Sequence, residues 1–269
     1  MLEYLRSSWD QRALVWRLAR REIDSRFRGS LLGVLWAVIV PLVMLSVYSL
    51  VFGTVFQSRW PRPDDATMLH QVDFPMILFT GLIVFGIFSD PINRAPTLIL
   101  ENVSYVKKVV FSLEILPVVA LINALFTALI SSGVLLTVYL ILYGIPPMTA
   151  LLLPLAVAPL ILITLGISYV LASLSVFLRD LRHLTAPLTT AVLFLSPVFY
   201  SINVLPEAWR WTLYLNPITL AVIYTRDLLF WGKLPSPMQW ATYLLAALAV
   251  ASVGSWWFSR TKKAFADVL

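Results

Sequence analysis

The sequence predicts an all-α, polytopic membrane protein with six transmembrane helices. Of its 269 residues, 59% are hydrophobic and only 13% are charged, whereas soluble domains average about 25% charged residues. Two long stretches, residues 29–58 and 115–178, carry no charged side chain at all. A helix of about 20 apolar residues is enough to cross the hydrocarbon core of a bilayer, which is about 30 Å thick. We therefore interpret the chain as a single transmembrane domain.

The first element is a basic amphipathic helix over residues 1–28, which leads directly into the first span over residues 31–56. Apolar side chains recur along the helix at helical spacing, which favours a position in the membrane interface. Those side chains are Leu5, Trp9, Ala13, Trp16, Ala19, Ile23 and Phe27. The arginines stay outside the span, because Arg at the centre of a bilayer costs about 2.5–3.5 kcal/mol. A helix that packs on a partner protein is the alternative.

Prolines, glycines and charged residues divide the rest of the chain into five further spans. Gly144-Ile145-Pro146-Pro147 separates the second uncharged stretch into two helices joined by a tight turn. Residues 206–231 are too short or too charged to span, and we expect two re-entrant half-helices there. Such segments are tolerated only where they are buried in protein or face water. The predicted spans are residues 74–92, 115–143, 150–178, 187–200 and 238–258.

The distribution of Lys and Arg supports this even number of spans. Six spans place both termini on one side of the membrane, and most of the 20 Lys and Arg residues then fall on that side. By the positive-inside rule, that side is cytoplasmic. The charges lie at helix ends rather than in one patch, so anionic lipid headgroups are favoured over nucleic acid as partners.

Several kinds of chemistry are excluded by residues that the sequence lacks. It has no cysteine and only two, widely separated histidines, so we expect no thiolate or histidine metal site. The Gly232-Lys233 pair is followed by Leu234 rather than Ser or Thr, and no phosphate-binding loop for a nucleotide is found. The spans hold almost no ionisable groups of the kind that an ion-coupled transporter needs. We therefore expect a pathway whose energy comes from another subunit.

Four motifs resemble, in the same order, those of the permease subunits of ABC exporters for polysaccharides and polyol phosphates, such as O antigens, capsules and wall teichoic acids. They are RGSLLGVLWA at residues 28–37 with Pro41 after it, FLRD at 177–180, SPVFY at 196–200 and LNP at 215–217. The resemblance covers nearly the whole chain. It implies a homodimer in the bacterial inner membrane, bound to two separate ABC ATPase subunits that hold ATP and Mg²⁺. It also implies export of a lipid-linked glycan, with no cofactor and no enzymatic activity in this chain.

Within this resemblance, two groups of residues are assigned to the cytoplasmic side. The arginines before the first span are expected to bind a lipid diphosphate, because guanidinium groups bind phosphate oxygens bidentately. Ordinary anchoring at the inner face is the alternative. These arginines are Arg20, Arg21, Arg26 and Arg28. The segment between the second and third spans, together with the loop after the fourth, is expected to couple to the ATPase. The coupling residues are Asn93, Arg94, Ser104, Tyr105, Lys107, Lys108, Arg179 and Asp180.

Two further groups are assigned to the glycan path. Tyr48, Phe52 and Phe56 recur at a spacing of four on the first span, and Tyr200 ends the fifth. Their rings are suited to stack on the apolar faces of sugars, although aromatic residues are also common at membrane interfaces and helix contacts. The half-helices at 206–231 are expected to form an extracytoplasmic gate in which Arg226 and Asp227 pair.

Other functions remain open at this point. A permease for drugs or small amphiphiles would share the same architecture. A membrane-embedded lipid-modifying enzyme would use His183 or Asp180 as acid or base, and it would be active without an ATPase partner. A self-sufficient ion-coupled transporter is disfavoured by the uncharged spans.

Overall fold

The computed structural model describes residues 11–60, 73–102, 112–204 and 206–268, and over these ranges the chain is helical with no β-strand. The predicted all-α polytopic class is thereby confirmed. The α-helices of the described ranges, in chain order, are α1 (Arg12–Phe27), α2 (Trp36–Tyr48), α3 (Phe74–Leu98), α4 (Ile115–Tyr143), α5 (Leu153–Phe177), α6 (Leu181–Phe194), α7 (Glu207–Tyr214), α8 (Pro217–Arg226), α9 (Pro237–Thr261) and the short α10 (Phe265–Val268).

Five helical stretches of the described residues are long and apolar enough to cross a membrane, and they match the first four predicted spans and the last one. They are Gly33–Val55, Phe74–Leu98, Ile115–Tyr143, Met148–Phe177 and Pro237–Ala264. The first consists of α2 with a 3-10 turn before it and a π-helical stretch, Ser49–Val55, after it. As predicted, α4 ends at Gly144, whose φ of 82° suits a residue without a Cβ atom.

The fifth predicted span, residues 187–200, is corrected in its bounds. The structure has a helix of the same length that begins and ends six residues earlier, α6, whose 14 residues rise about 21 Å. The loop expected after the fourth span is therefore only two residues long, Arg179 and Asp180, before α6 begins, and residues 195–200 form a turn. Pro197 explains the early end, because proline disfavours the helical conformation of the residue before it. At this length α6 alone is too short to cross the hydrocarbon core.

The two half-helices predicted within residues 206–231 are present as α7 and α8, which form a hairpin. Asn216 caps α8, because its side-chain oxygen accepts a hydrogen bond from the backbone N–H of Ile218 at 3.1 Å. Its side-chain nitrogen donates to the carbonyl of Val192 in α6 at 3.0 Å. The hydroxyl of Tyr243 in α9 donates to the carbonyl of Pro217 at 2.6 Å. The tip of the hairpin is thus held between α6 and α9.

The helix α3 is the centre of the bundle. Most of its residues are buried, and it packs against α2, α4, α5, α6 and α8. The most extensive contact between two helices of the described ranges does not involve α3 and joins α5 to α9. There Gly166 and Gly254 face each other so closely that a Cβ atom added to Gly254 would overlap the backbone carbonyl of Gly166. Small residues that allow two backbones to approach in this way are typical of helix pairs in membranes.

The helix α1 and the carboxyl-terminal turn lie at the same end of the bundle, which we call the α1 end. Glu22 of α1 is 3.6 Å from Arg94 in α3, and Lys262 is 3.5 Å from Glu114, just before α4. Five crossings would place these two parts at opposite ends. The segment between α5 and α9 therefore returns the chain from the α1 end to the opposite end of the bundle, and α6 and the α7–α8 hairpin each cover part of this length.

The interfacial helix α1 packs on α4 through one narrow face. Val15 and Ala19 are buried there against Ile115 and Val119. Of the predicted apolar face, Ala19 is part of this contact, whereas 61% of Trp16 is exposed. Leu5 and Trp9 lie outside the described residues. The helix thus contacts the bundle on one side, and the indole of Trp16 is exposed on another side.

Candidate functional site

The four arginines assigned to a lipid diphosphate do not converge on one point. Arg21 and Arg28 line a recess of about 460 Å³ between α1 and the end of α3. Arg26 points elsewhere, into an apolar cleft between α1, α2, α3 and α4. Arg20 is on the exposed face of α1, 3.9 Å from Asp24. Arg21 and Arg28 are therefore the pair that share a concave surface.

The recess that holds Arg21 and Arg28 is rich in charge. Arg94 lies in its wall with Glu22 and Glu101. Nη2 of Arg94 is 2.8 Å from Oε2 of Glu101, and Nη1 donates to Oε1 of the same carboxylate at 2.9 Å, so this pair is bidentate. With three arginines and two glutamates in its lining, the recess has an excess of one positive charge, and Arg21 and Arg28 are the arginines outside the bidentate pair.

The residues assigned to ATPase coupling are only partly described. Ser104, Tyr105, Lys107 and Lys108 lie outside the described residues. Arg94 bridges α1 and the segment after α3 through Glu22 and Glu101. The side-chain oxygen of Asn93 accepts a hydrogen bond from the hydroxyl of Thr189 in α6 at 3.1 Å. These contacts connect α1, α3 and α6 where the predicted coupling segment begins.

The loop between α5 and α6 presents Arg179 and Asp180 on the exposed surface. Asp180 stands at the amino terminus of α6 without a side-chain hydrogen bond to the first turn. His183 is also exposed, and its Nε2 accepts a hydrogen bond from Nε of Arg182 at 3.1 Å. Neither of the residues proposed as acid or base in the enzyme alternative lines a cleft described above. Within the described ranges, no group of His, Cys, Asp and Glu side chains is suited to a metal ion.

The four aromatic residues assigned to the glycan path lie in two places. The ring centre of Tyr48 is 6.4 Å from that of Phe79, and that of Phe52 is 5.5 Å from that of Phe74, so both rings pack the first span against α3. Phe56, at the end of the first span, is 67% exposed. Tyr200 belongs to the turn after α6, where its hydroxyl donates to the carbonyl of Phe194 at 3.3 Å. The structure brings Tyr48, Phe52 and Phe56 onto one element but leaves Tyr200 on another.

Arg226 is the most unusual side chain of the predicted gate, because its guanidinium is buried with only 2% of the residue exposed. Nε donates to the carbonyl of Ile77 at 3.0 Å, Nη1 to that of Pro197 at 2.6 Å and Nη2 to that of Val198 at 2.7 Å. Its Cζ also lies 4.4 Å from the ring centre of Trp60. The guanidinium thereby joins α8, α3 and the turn after α6.

Room for this guanidinium is made by a glycine on the facing helix. A Cβ atom added to Gly81 of α3 would lie 2.6 Å from Nη2 of Arg226. The sequence prediction paired Arg226 with Asp227 as part of a gate, and it missed these carbonyl acceptors. These acceptors belong to residues about 150 and 30 positions away along the chain. A local sequence pattern therefore cannot predict these hydrogen bonds.

The model of one protein family, described as "ABC-2 type transporter", matches residues 13–230 of the chain. This match covers α1 to α8, including the central helix and the hairpin. The chain belongs to the ABC-2 type transporter family. The resemblance that the four motifs indicated is thereby confirmed at the level of the family.

Several proteins of this family are similar to the chain over most of their length. An "O-antigen export system permease protein RfbA" from Myxococcus xanthus is 28% identical over 258 residues, which are 95% of this chain and 94% of that protein. A protein of the same name from Klebsiella pneumoniae is 24% identical, with 94% and 93% covered. The "Polysialic acid transport protein KpsM" from Escherichia coli is 26% identical, with 81% of each chain covered.

Proposed function

We propose that the chain is the transmembrane subunit of an ATP-driven exporter that moves a lipid-linked polysaccharide across the bacterial inner membrane. The observation that carries the proposal is the similarity, over 94–95% of the chain, to permeases named for O-antigen export. Similarity over 81% of the chain to a polysialic acid transport protein points to the same class of substrate. In this proposal the chain itself performs no covalent chemistry.

The working unit in this proposal is a homodimer bound to two separate ATPase subunits, which hold ATP and Mg²⁺. Much of the first span is exposed, including Leu35, Val43 and Leu50. The same holds for Leu188 of α6 and Trp211 of α7. A second copy that covers these faces would enclose a path between the two subunits, with Tyr48, Phe52, Phe56 and Tyr200 at or near its wall.

The α1 end is placed at the cytoplasm in this proposal. It carries Arg21, Arg28 and Arg94, and the carboxyl-terminal Lys262 as well, in agreement with the positive-inside rule. ATPase docking is assigned to the segment that begins after Glu101 and to the exposed Arg179-Asp180 loop. The ion pairs of Arg94 with Glu22 and Glu101 would transmit movement of that segment to α1 and α3 together.

Loading of the lipid diphosphate is assigned to the recess that Arg21 and Arg28 line. Two guanidinium groups at one concave surface match the bidentate geometry of phosphate oxygens. The proposed roles of Arg20 and Arg26 are smaller, because Arg20 is on the exposed face beside Asp24 and Arg26 points into a different cleft.

The decisive experiment is to co-purify the chain with a candidate ABC ATPase subunit from the same organism and to measure ATP hydrolysis in proteoliposomes. We expect a lipid-linked glycan to stimulate hydrolysis and the isolated chain to hydrolyse no ATP. Replacing Arg21 and Arg28 together with Gln should reduce the stimulation, whereas Arg17→Gln, at an exposed arginine of the same helix outside the proposed site, serves as the matched control. Stimulation by small amphiphilic drugs but not by the glycan would refute the proposal in favour of a drug permease.

A further inference from the structure

The cleft between α1, α2, α3 and α4 has the shape of a site for a lipid chain. It has a volume of about 360 Å³ and is open to the outside of the helix bundle. Its walls are mostly apolar, with Trp36, Met44, Phe79 and Leu82 among them. Phe79 and Asp90 both line it and are eleven positions apart on α3, which corresponds to about 16 Å along the helix. The cleft is therefore elongated along the direction in which lipid chains run.

A polar recess of about 450 Å³ continues this cleft at the α1 end. Arg26 and Asp90 line both spaces, so one cation and one anion stand at the boundary between them. An amphiphile that lies across this boundary would place its chain against apolar side chains and its headgroup among charged ones. The roles of Arg26 and Asp90 at this boundary are not part of the function proposed above.

The charges of the recess favour a zwitterionic headgroup over a dianionic one. Its walls hold the cations Arg26 and Arg94 and the carboxylates of Glu22, Asp90 and Glu101. Arg94 is bidentate with Glu101 and 3.6 Å from Glu22. Arg26 has only a long hydrogen bond of 3.5 Å to the hydroxyl of Thr127 and an electrostatic interaction with Asp90, and a zwitterion could extend this pair, with its phosphate at Arg26 and its ammonium at Asp90. A diphosphate would bring further negative charge beside Asp90 and Glu22, and like charges repel one another.

Asn123 of α4 provides an independent indication of a missing polar partner. It lines the same recess, only 2% of it is exposed, and neither its side-chain oxygen nor its nitrogen has a hydrogen-bond partner among the described residues. Buried amide groups are almost always paired with protein, water or ligand. A headgroup with an ammonium donor and phosphate acceptors would satisfy both atoms of this amide.

We propose that this cleft binds one resident phospholipid whose headgroup carries a phosphate and a primary ammonium, as in phosphatidylethanolamine. Its phosphate pairs with Arg26, its ammonium pairs with Asp90, and Asn123 hydrogen-bonds to the headgroup. One acyl chain fills the apolar cleft and thereby joins α1 and α2 to α3 and α4. The site adjoins the Arg21–Arg28 recess, with which it shares Glu22, Arg94 and Glu101, but neither Arg21 nor Arg28 lines it.

The test uses the full chain in nanodiscs with equal amounts of phosphatidylethanolamine and phosphatidylglycerol, and native mass spectrometry of the lipid that stays bound after release. We expect phosphatidylethanolamine to be retained at least about threefold over phosphatidylglycerol, the ratio that one partly exposed ion pair provides. Asp90→Asn should abolish this preference, Arg26→Gln should lower retention of both lipids, and Arg26→Lys should restore it. Arg17→Gln, at an exposed arginine of α1 that lies outside the proposed lipid-binding residues, is the matched control and should change nothing.

Asn123→Leu separates a ligand-binding role from a structural one. If its amide serves the lipid, the substitution lowers lipid retention and leaves the thermal midpoint of the delipidated chain unchanged or higher, because an unpaired buried group is removed. A lower midpoint with unchanged retention would overturn this role. Equal retention of the two lipids by the unaltered chain, or their displacement by farnesyl diphosphate at equal concentration, would overturn the proposal. Neither result would affect the ATPase stimulation that tests the exporter itself.

Discussion

At the scale of single residues, Gly81 and Arg226 form a matched pair across the interface of α3 and α8. The guanidinium supplies donors to three backbone carbonyls, and the glycine supplies the space. A buried arginine is costly unless its donors are satisfied, and here an acceptor is present for each of its three nitrogen atoms. The arrangement holds the SPVFY turn, the hairpin and the central helix together at the end of the bundle away from α1.

This pairing predicts that Gly81→Ala destabilises the protein although alanine favours helices. The new Cβ atom would lie 2.6 Å from Nη2 of Arg226 and 3.2 Å from Cγ1 of Val198, and we expect a loss of about 1–3 kcal/mol from this overpacking. Thermal unfolding of the purified chain at one heating rate measures it. Gly86→Ala on the same helix is the control, because no atom lies within 4 Å of the added carbon. Equal midpoints for the two variants would contradict the pairing.

At the scale of elements, the ends of a helix could be predicted from the sequence where residues close to that end determine it. Gly144 and the two prolines after it predicted the end of α4, and Asn216-Pro217 marks the start of α8 in the predicted half-helix region. The sequence was insufficient for α6, whose apolar run continues to Tyr200 while the helix ends at Phe194. The difference arises because the turn that contains Pro197 is held by Arg226, a residue 29 positions further along the chain.

The candidate sites could be predicted less well than the helices for a similar reason. The arginines before the first span were identifiable from their sequence position, but the direction of each side chain depends on how α1 packs on α4. That packing buries Val15 and Ala19, and it turns Arg26 into one cleft and Arg21 into another. Asn123 could not be identified from the sequence as a binding residue. It is a candidate only because its amide is buried without a hydrogen-bond partner among the described residues.

The close contact of α5 with α9 predicts that a larger residue at Gly254 destabilises the protein. Gly254→Ala would place a Cβ atom on the backbone of Gly166, and backbone cannot move aside as a flexible side chain does. We expect the two helices to separate and the stability to fall by at least about 2 kcal/mol, since close packing is the main force between membrane helices. Thermal unfolding and a disulfide cross-link between the helices both report the separation. Gly133→Ala in α4, where no atom lies within 4 Å of the added carbon, should be tolerated.

At the scale of the whole molecule, the number of crossings follows from where the ends lie rather than from a count of long helices. Five described stretches meet the length and apolarity expected of a span, yet α1 and the carboxyl-terminal turn are both tied to the same end, by the Glu22–Arg94 and Lys262–Glu114 pairs. We therefore predict a sixth crossing that is shared by α6 and the hairpin. Such irregular backbone is stable in a membrane only where protein or water surrounds it, which the bonds of Asn216 and Arg226 provide.

This topology predicts a definite pattern of labelling, and the absence of cysteine from the chain makes the measurement simple. Single cysteines at Ser25 and Lys263 report the α1 end, and Ile145→Cys and Met148→Cys report the other end, where both side chains are exposed. In intact spheroplasts, a membrane-impermeant maleimide should label Ile145→Cys and Met148→Cys at once. Ser25→Cys and Lys263→Cys should react only after permeabilisation, because the positive-inside rule places the α1 end in the cytoplasm. Labelling of Lys263→Cys together with protection of Ser25→Cys would mean that the segment between α5 and α9 does not cross the membrane.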